Sequence, residues 1–148
     1  MKILRRTFIA LTAAYWLFAL LMTHLPKPPA LGPSMGDKGQ HVAGYGLLAG
    51  MLYLTIWICR PTTRWIGLYV ILTVLAYGAI DEWTQPWAGR TCDFGDWLSD
   101  LAGVVVAVGL LAGAKWFWRG RREVRGGFQE VEADPSSGET IASVRVTR

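Results

Sequence analysis

The chain has 148 residues, 52% of them hydrophobic, and carries a formal net charge of +4 at pH 7. This length suits one domain, and so large an apolar share is unusual for a soluble one. The positive charge does not indicate nucleic-acid binding, because Lys and Arg cluster at the ends of apolar segments and the sequence has no nucleic-acid-binding motif. Cys59 and Cys92 fit no CxxC or zinc-binding spacing, which argues against a cysteine-based metal site.

The main structural feature of the sequence is a set of four apolar segments, at residues 7–25, 39–59, 65–80 and 97–118. A helix needs about 20 residues to cross a hydrocarbon core of about 30 Å. Three segments reach this range, and the third is expected to continue to Glu82 or Trp83. The first is long for a signal peptide and no small-x-small cleavage site follows it, which favours an uncleaved helix. The sequence therefore predicts an all-α integral membrane bundle of four transmembrane helices.

Basic residues are distributed unevenly between the two sides that four crossings create. Most Lys and Arg lie in three segments that share one side, residues 1–6, 60–64 and 115–125. The other side has only three basic residues, Lys27, Lys38 and Arg90. An excess of Lys and Arg marks the cytoplasmic side, so both termini are predicted to be cytoplasmic in the plasma (inner) membrane. Cys59 and Cys92 would then lie on opposite sides and remain unpaired.

The composition changes after residue 118, where a basic stretch is followed by a polar one. A segment of this kind buries too little apolar surface to order itself. The sequence therefore predicts a transmembrane domain at residues 1–118 and a disordered cytoplasmic tail at residues 119–148.

Acidic and other polar residues collect where three predicted helices reach the external side. The candidate pocket residues are Asp37, Lys38, His41 and Tyr45 at the second helix, Asp81, Glu82 and Gln85 at the third, and Arg90, Asp93, Asp96 and Asp100 at the fourth. His41 and Tyr45 are one turn apart and share a helix face. A carboxylate at membrane depth, such as that of Asp100, costs roughly 2.5–3.5 kcal/mol at the helix centre and less near the surface. Such groups therefore face a partner or a wet cavity, which predicts a shared pocket.

Each of these residues also has an ordinary structural explanation. His41 alone would more often be a hydrogen-bonded core residue than a ligand, and Asp96 could cap the fourth helix. Asp81 and Glu82 could be a solvated pair, and Arg90 could simply hold a carboxylate. The convergence of acids, a His and an Arg from three segments favours a shared functional pocket over these separate explanations.

The polar residues form one combined pattern, Asp37-Lys38-x-x-His41-x-x-x-Tyr45, then Asp81-Glu82-x-x-Gln85, then Arg90 followed by Asp96 and Asp100-x-x-Gly103. This pattern, within residues 7–118, resembles the VanZ-like membrane protein family. The family's name comes from a link to teicoplanin, a glycopeptide antibiotic that binds cell-wall precursors, so the resemblance implies a protein of the cell envelope. One position departs from the family, which commonly has Asn where this chain has Asp100.

Two functions of different classes fit this site. The first is a non-enzymatic envelope protein that contacts membrane lipid, with a pocket that binds a lipid-linked or cell-wall-related ligand or supports a membrane assembly. The second is a membrane-embedded hydrolase or transferase acting on a phosphate-bearing lipid or cell-wall precursor, with His41 and nearby carboxylates holding a divalent metal. The single His at the site and the absence of HExxH, GxSxG and P-loop motifs favour the first. The apolar middle of the helices, such as residues 104–111, disfavours a transporter.

Overall fold

The computed structural model describes residues 2–26 and 36–132, with side chains described as far as residue 121. Its helices are α1 (Lys2–Thr23), α2 (Asp37–Cys59), α3 (Ile66–Thr84), a short 3-10 helix (Gln85–Ala88) and α4 (Phe94–Glu132). The described ranges contain no strand. The predicted all-α fold with four long helices is confirmed.

Four helices of the described part are long and apolar enough to cross a membrane. The spans are Lys2–Thr23, Asp37–Cys59, Ile66–Ala88 and Phe94–Arg121. Many large apolar side chains point away from the protein, including those of Leu21, Leu72 and Leu110. Such a surface is unfavourable in water and is what lipid-facing helices present. The protein is therefore a multi-pass membrane protein.

The end of the third helical segment and the start of α4 extend beyond the predicted segments, and the added residues carry polar side chains. The third segment, expected to continue to Glu82 or Trp83, runs to Thr84 and then into the 3-10 helix, which is followed by Gly89 in a left-handed conformation with φ 76°. α4 begins at Phe94, three residues before the predicted start, and this places Asp96 in its first turn. The added turns carry four of the eleven candidate pocket residues, Asp81, Glu82, Gln85 and Asp96.

The predicted boundary at residue 118 lies within α4. The chain divides into two compact units, Met1–Gly113 and Ala114–Arg148, and α4 continues to Glu132. Arg and Glu, which are frequent between residues 119 and 132, are good helix formers. The remainder of the predicted tail, residues 133–148, lies outside the described residues.

The hydrophobic core of the first unit is centred on α2. Its fully buried members are Leu48 and Ala49 of α2, Val70 and Val74 of α3, and Val104 of α4. α1 contributes less, since Thr12 and Ala19 are its only residues classed as buried in the described range. Thr12 and Thr55 join α1 to α2 through a hydrogen bond of 2.8 Å between their hydroxyl groups.

α2 and α4 approach each other closely enough for their backbones to touch. A Cβ atom at Gly46 would lie 3.2 Å from the carbonyl oxygen of Gly103, and one at Gly103 would overlap the carbonyl oxygen of Val42. Small residues permit such close approach in membrane helices. By contrast, Gly109 and Gly113 of α4 have open space around them. The Gly46–Gly103 contact therefore fixes the separation of α2 and α4 near their polar residues.

Candidate functional site

The candidate pocket residues lie at one end of the four-helix unit, here called the polar end. It comprises the end of α1, the start of α2, the end of α3 with the 3-10 helix, and the start of α4. Hydrogen bonds and ion pairs join all eleven predicted residues into one continuous network when the contacts of Thr23 are included. This network is called the polar cluster below.

His41 lies at the centre of the polar cluster and is buried between α2 and α4. Its Nδ1 atom is 2.9 Å from Oδ1 of Asp100, and its Nε2 atom is 3.7 Å from Oδ2 of Asp96. Asp96 and Asp100 are themselves buried. The ring therefore bridges two carboxylates that are one turn apart on α4, and a neutral imidazole could donate a hydrogen bond to only one of them.

Asp81 of α3 collects hydrogen bonds from three other segments. The hydroxyl of Tyr45 donates to its Oδ2 atom at 2.9 Å, and the hydroxyl of Thr23 donates to its Oδ1 atom at 2.8 Å. The Nε2 group of Gln85 donates to Oδ2 at 3.4 Å. Nδ1 of His24 lies 3.5 Å from Oδ1. Asp81 is thus a fully buried acceptor that ties α1, α2 and α3 together.

Glu82 is buried beside Asp81 and is held from two directions. The Nε2 group of Gln85 donates to Oε1 at 2.9 Å, and the backbone N–H of Asp93 donates to Oε2 at 3.1 Å. The first contact comes from the 3-10 helix and the second from the loop before α4. Because both carboxylate oxygens have a donor, the orientation of Glu82 is fixed by the loop that follows its own helix.

Lys38 forms the outer edge of the polar cluster. Its ammonium lies 3.3 Å from both Asp93 and Asp96, and Lys38 and Asp93 are exposed whereas Asp96 is buried. The backbone N–H of Gly95 donates to Asp93 at 2.7 Å. That hydrogen bond, together with Lys38, lowers the pKa of the Asp93 carboxyl below its ordinary value. Asp93 therefore serves as a charged cap at the start of α4, a role that sequence analysis had considered for Asp96.

Arg90 reaches from the loop after the 3-10 helix toward α1 and α2. Its Nη1 atom donates to the carbonyl oxygen of Thr23 at 2.9 Å, and its Nη2 atom lies 3.5 Å from Oδ2 of Asp37. The guanidinium is largely buried, whereas 53% of the Asp37 side chain is exposed. Arg90 therefore pairs with an acid, as predicted, but with the exposed Asp37 rather than with one of the four buried carboxylates.

A cavity of about 90 Å³ lies between α1 and α2 at the polar end. Its lining is Tyr15, Phe18, Ala19, Met22 and Thr23 of α1, Asp37, Gln40, His41, Gly44 and Tyr45 of α2, and Arg90. The α1 wall is mainly apolar, and the charged groups Asp37 and Arg90 lie together at one part of the boundary. Such a lining suits a ligand with an apolar body and a polar or anionic head.

Acidic groups outnumber basic groups inside the polar cluster. Four carboxylates are buried, those of Asp81, Glu82, Asp96 and Asp100. Within the described ranges, the ion pairs give these carboxylates one Lys partner, Lys38, and two imidazole partners, His24 and His41. A buried charge is costly unless it is paired. The polar cluster therefore favours the presence of additional positive charge.

Some members of the site have no counterpart among the predicted residues. Thr23 and His24 of α1 contact Asp81, and His24 also contacts the hydroxyl of Thr84 through Nε2 at 3.0 Å. Their place in the sequence could have indicated them, because the first helix ends on the same side of the membrane as the other three groups of polar residues. Tyr77 is a further addition, stacked at an angle against Tyr45 with a ring separation of 5.9 Å.

The chemistry that the site offers is that of one central imidazole, four buried carboxylates and a guanidinium beside a cavity with one mainly apolar wall. Two sets of three ligand-type side chains occur among the described residues, Asp37, His41 and Asp96, and His41, Glu82 and Asp100. In each set the potential ligand atoms lie within 4.8 Å of one another. Comparison of the chain with protein-family models, with curated proteins and with solved structures finds no match.

Proposed function

We propose that this is a VanZ-like protein of the plasma membrane, whose polar end lies at the external face and binds a lipid-linked ligand of the cell envelope that carries a phosphate group. The observation that carries the proposal is the cavity between α1 and α2, which combines an apolar wall with the guanidinium of Arg90. The resemblance in residues Asp37 to Gly103 supports the family, and the cavity supports the ligand class.

The apolar wall supports binding of a lipid chain. Phe18 and Ala19 are adjacent in α1, Met22 follows about one turn later, and all three line the cavity. The neighbouring outer face of α1 is also apolar, with Leu17 and Leu21 exposed. A chain of an isoprenoid or acyl type could therefore lie along α1 without leaving an apolar environment, which is the favourable arrangement for such a group.

Arg90 supports binding of the phosphate group. A guanidinium has five N–H donors in a planar fork that matches phosphate oxygens. Its partner Asp37 is more than half exposed, and an ion pair with an exposed carboxylate contributes little to stability. A phosphate could therefore replace Asp37 as the partner of Arg90 at small cost, while the hydrogen bond to Thr23 keeps the guanidinium in place.

The distribution of basic residues supports the external position of the polar end. Arg60 and Arg64 follow α2 at the opposite end, and Lys2, Arg5 and Arg6 begin α1 there. The positive-inside rule assigns that opposite end to the cytoplasm. Lipid-linked precursors whose head groups face outward would then meet the polar end directly.

The test is a comparison of two ligands that differ only in the phosphate. Purified protein in detergent is titrated with a polyprenyl phosphate and with the corresponding uncharged polyprenol, and binding is followed by native mass spectrometry. We expect the phosphate to bind at least tenfold more tightly, because a hydrogen bond to a charged group contributes about 1.5–3 kcal/mol. Arg90→Ala should abolish this preference.

Arg64→Ala is the matched control, because Arg64 lies at the opposite end and its guanidinium stacks over Trp65 at 5.2 Å. This variant should retain the preference for the phosphate. Equal binding of the two ligands by the unaltered protein, or an unchanged preference in Arg90→Ala, would refute phosphate recognition at this cavity.

A second candidate function is a metal-assisted hydrolase or transferase acting on the same class of lipid. The observation that favours it is that His41 lines the cavity while it contacts both Asp96 and Asp100. A catalytic base or metal ligand must lie within hydrogen-bond or one-water reach of the substrate. Incubation of purified protein with a polyprenyl diphosphate and measurement of released phosphate tests this candidate, with His41→Gln as the variant that should lose turnover.

A further inference from the structure

We infer that His41, Glu82 and Asp100 form a binding site for one divalent cation of the zinc or manganese type. The three side chains come from α2, α3 and α4, and one potential ligand atom of each lies within 4.8 Å of the other two. Around a tetrahedral ion with metal–ligand bonds of about 2.0–2.1 Å, neighbouring ligand atoms are separated by roughly 3.3 Å. Nδ1 of His41 and Oδ1 of Asp100 are 2.9 Å apart, so this pair would need to separate by only about 0.4 Å to bind the same ion.

Unpaired acceptors provide an independent reason to place a cation here. In the described part of the chain, three buried side-chain atoms have no hydrogen-bond partner, and two of them are Oδ2 of Asp100 and Oε1 of Gln85. Both residues are fully buried, and the amide of Gln85 donates to Glu82 at 2.9 Å. Buried oxygens without donors are uncommon in native proteins. A cation bound by Asp100 would give its carboxylate the partner that Oδ2 lacks.

The excess of negative charge in the polar cluster also favours a cation at this position. Glu82 and Asp100 have no Lys or Arg within ion-pair distance among the described residues, since the ammonium of Lys38 is directed to Asp93 and Asp96. An isolated buried carboxylate is strongly disfavoured. A divalent ion would neutralise both carboxylates and leave His41 as a neutral nitrogen ligand.

The second set of ligand-type residues, Asp37, His41 and Asp96, is less suitable. Asp37 is more than half exposed and its carboxylate is paired with Arg90. Asp96 is paired with Lys38 at 3.3 Å. A cation there would compete with Lys38 and Arg90, whereas no Lys or Arg contacts Glu82 or Asp100 in the described residues.

The surroundings of Glu82 resemble the outer shell of a metal site. One oxygen accepts from Gln85 and the other from the backbone of Asp93, which leaves further lone pairs for a metal. Hydrogen bonds of this kind orient carboxylate ligands. One nitrogen and two oxygen donors suit Zn²⁺ or Mn²⁺ better than the softer ions that prefer thiolates.

The test uses the full-length protein in detergent, stripped with a chelator and then exposed separately to Zn²⁺ and to Mn²⁺. After removal of free ion, elemental analysis should find one ion per chain for at least one of the two metals. The bound metal should raise the melting temperature, because a ligand that binds only the folded state stabilises it. Absence of bound metal in both cases would overturn the inference.

Two isosteric variants, Glu82→Gln and Asp100→Asn, locate the site. Each should lose the metal and the metal-dependent rise in melting temperature. Asp37→Asn is the matched control and should keep both. Loss of metal in Asp37→Asn with retention in Asp100→Asn would assign the ion to the other set and refute this one.

A spectroscopic readout keeps the test decisive if a variant fails to fold. Co²⁺ bound to the stripped, unaltered protein should give visible absorption bands of a site with nitrogen and oxygen ligands, and Zn²⁺ should remove them on displacement. Co²⁺ absorption bands that persist after Zn²⁺ is added would contradict a specific site. The absence of any such bands would contradict it as well. Because this readout measures metal binding directly, its result does not depend on lipid binding or on turnover.

Discussion

Nδ1 of His41 on α2 lies 2.9 Å from Oδ1 of Asp100 on α4, and both side chains are buried although 59 positions separate them in the sequence. This contact lies on the polar-end side of the place where the backbones of α2 and α4 touch, at Gly46 and Gly103. The side-chain pair and the backbone contact therefore act on the same pair of helices. Together they fix the register of α2 against α4 at the polar end.

Replacement of His41 should destabilise the protein strongly. His41→Ala removes the partner of Asp100 and a close neighbour of Asp96, and it leaves buried carboxylates with fewer favourable contacts. Breaking a buried pair in this way costs about 3 kcal/mol or more. Unfolding of the purified protein in detergent measures the change. Leu47→Ala, on an exposed part of the same helix, should have a much smaller effect, and an equal loss in both variants would contradict the prediction.

The two cysteines offer a direct test of the topology. Both thiols are free, Cys92 is exposed near the polar end, and Cys59 ends α2 at the opposite end. A membrane-impermeant maleimide added to intact cells should label the Cys59→Ser variant through Cys92. The Cys92→Ser variant should be labelled only after the membrane is permeabilised. The reverse pattern would show that the polar end faces the cytoplasm.

The glycines of α4 should differ sharply in their tolerance of a methyl group. Gly103→Ala should destabilise the protein, because the new Cβ would overlap the backbone of α2 at Val42. Gly109→Ala should be neutral or slightly stabilising, since nothing lies near that position and Ala is a better helix former by about 1 kcal/mol. Melting temperatures of the two variants in the same detergent decide the matter. Similar values would mean that the helix contact is unimportant.

Acid should weaken the cap at the start of α4. The pKa of Asp93 is lowered by the N–H of Gly95 and by Lys38, so its contribution to stability is present above the ordinary carboxyl pKa of 3.8. It is lost as the pH falls through the lower pKa of the folded state. Asp93→Asn should therefore reduce the dependence of melting temperature on pH in the acidic range. An identical pH profile in the two proteins would show that this carboxylate is not coupled to folding.

The fold was largely predictable because the bilayer limits the alternatives. Segment length and apolar composition were sufficient to identify four helices, and α2 ends at Cys59 as predicted. At the polar side, the third helix was predicted to reach Glu82 or Trp83, whereas the 3-10 helix that begins at Gln85 was not predicted. Glu82 and Gln85 remain helical because their side chains are satisfied by each other and by Asp93.

The proximity of the candidate site residues was predictable, but their pairing was not. One-sided placement and helical spacing indicated that His41 and the acids of α4 would meet. Sequence spacing does not specify rotation of one helix against another, so the choice of Asp37 as the partner of Arg90 could not be derived. Thr23 was missed for a similar reason, because a Thr at a helix end has many ordinary explanations.

The contact between Gly46 and Gly103 has a consequence for recognising distant relatives. Gly46 comes five residues after His41, and Gly103 comes three residues after Asp100. Since the backbone crossing, rather than the connecting loops, sets the distance between the two helices, loops that carry no residue of the polar cluster are free to drift in length and composition. A search profile that couples the glycine at each crossing position to its neighbouring polar residue should therefore retain relatives whose loops have diverged beyond alignment.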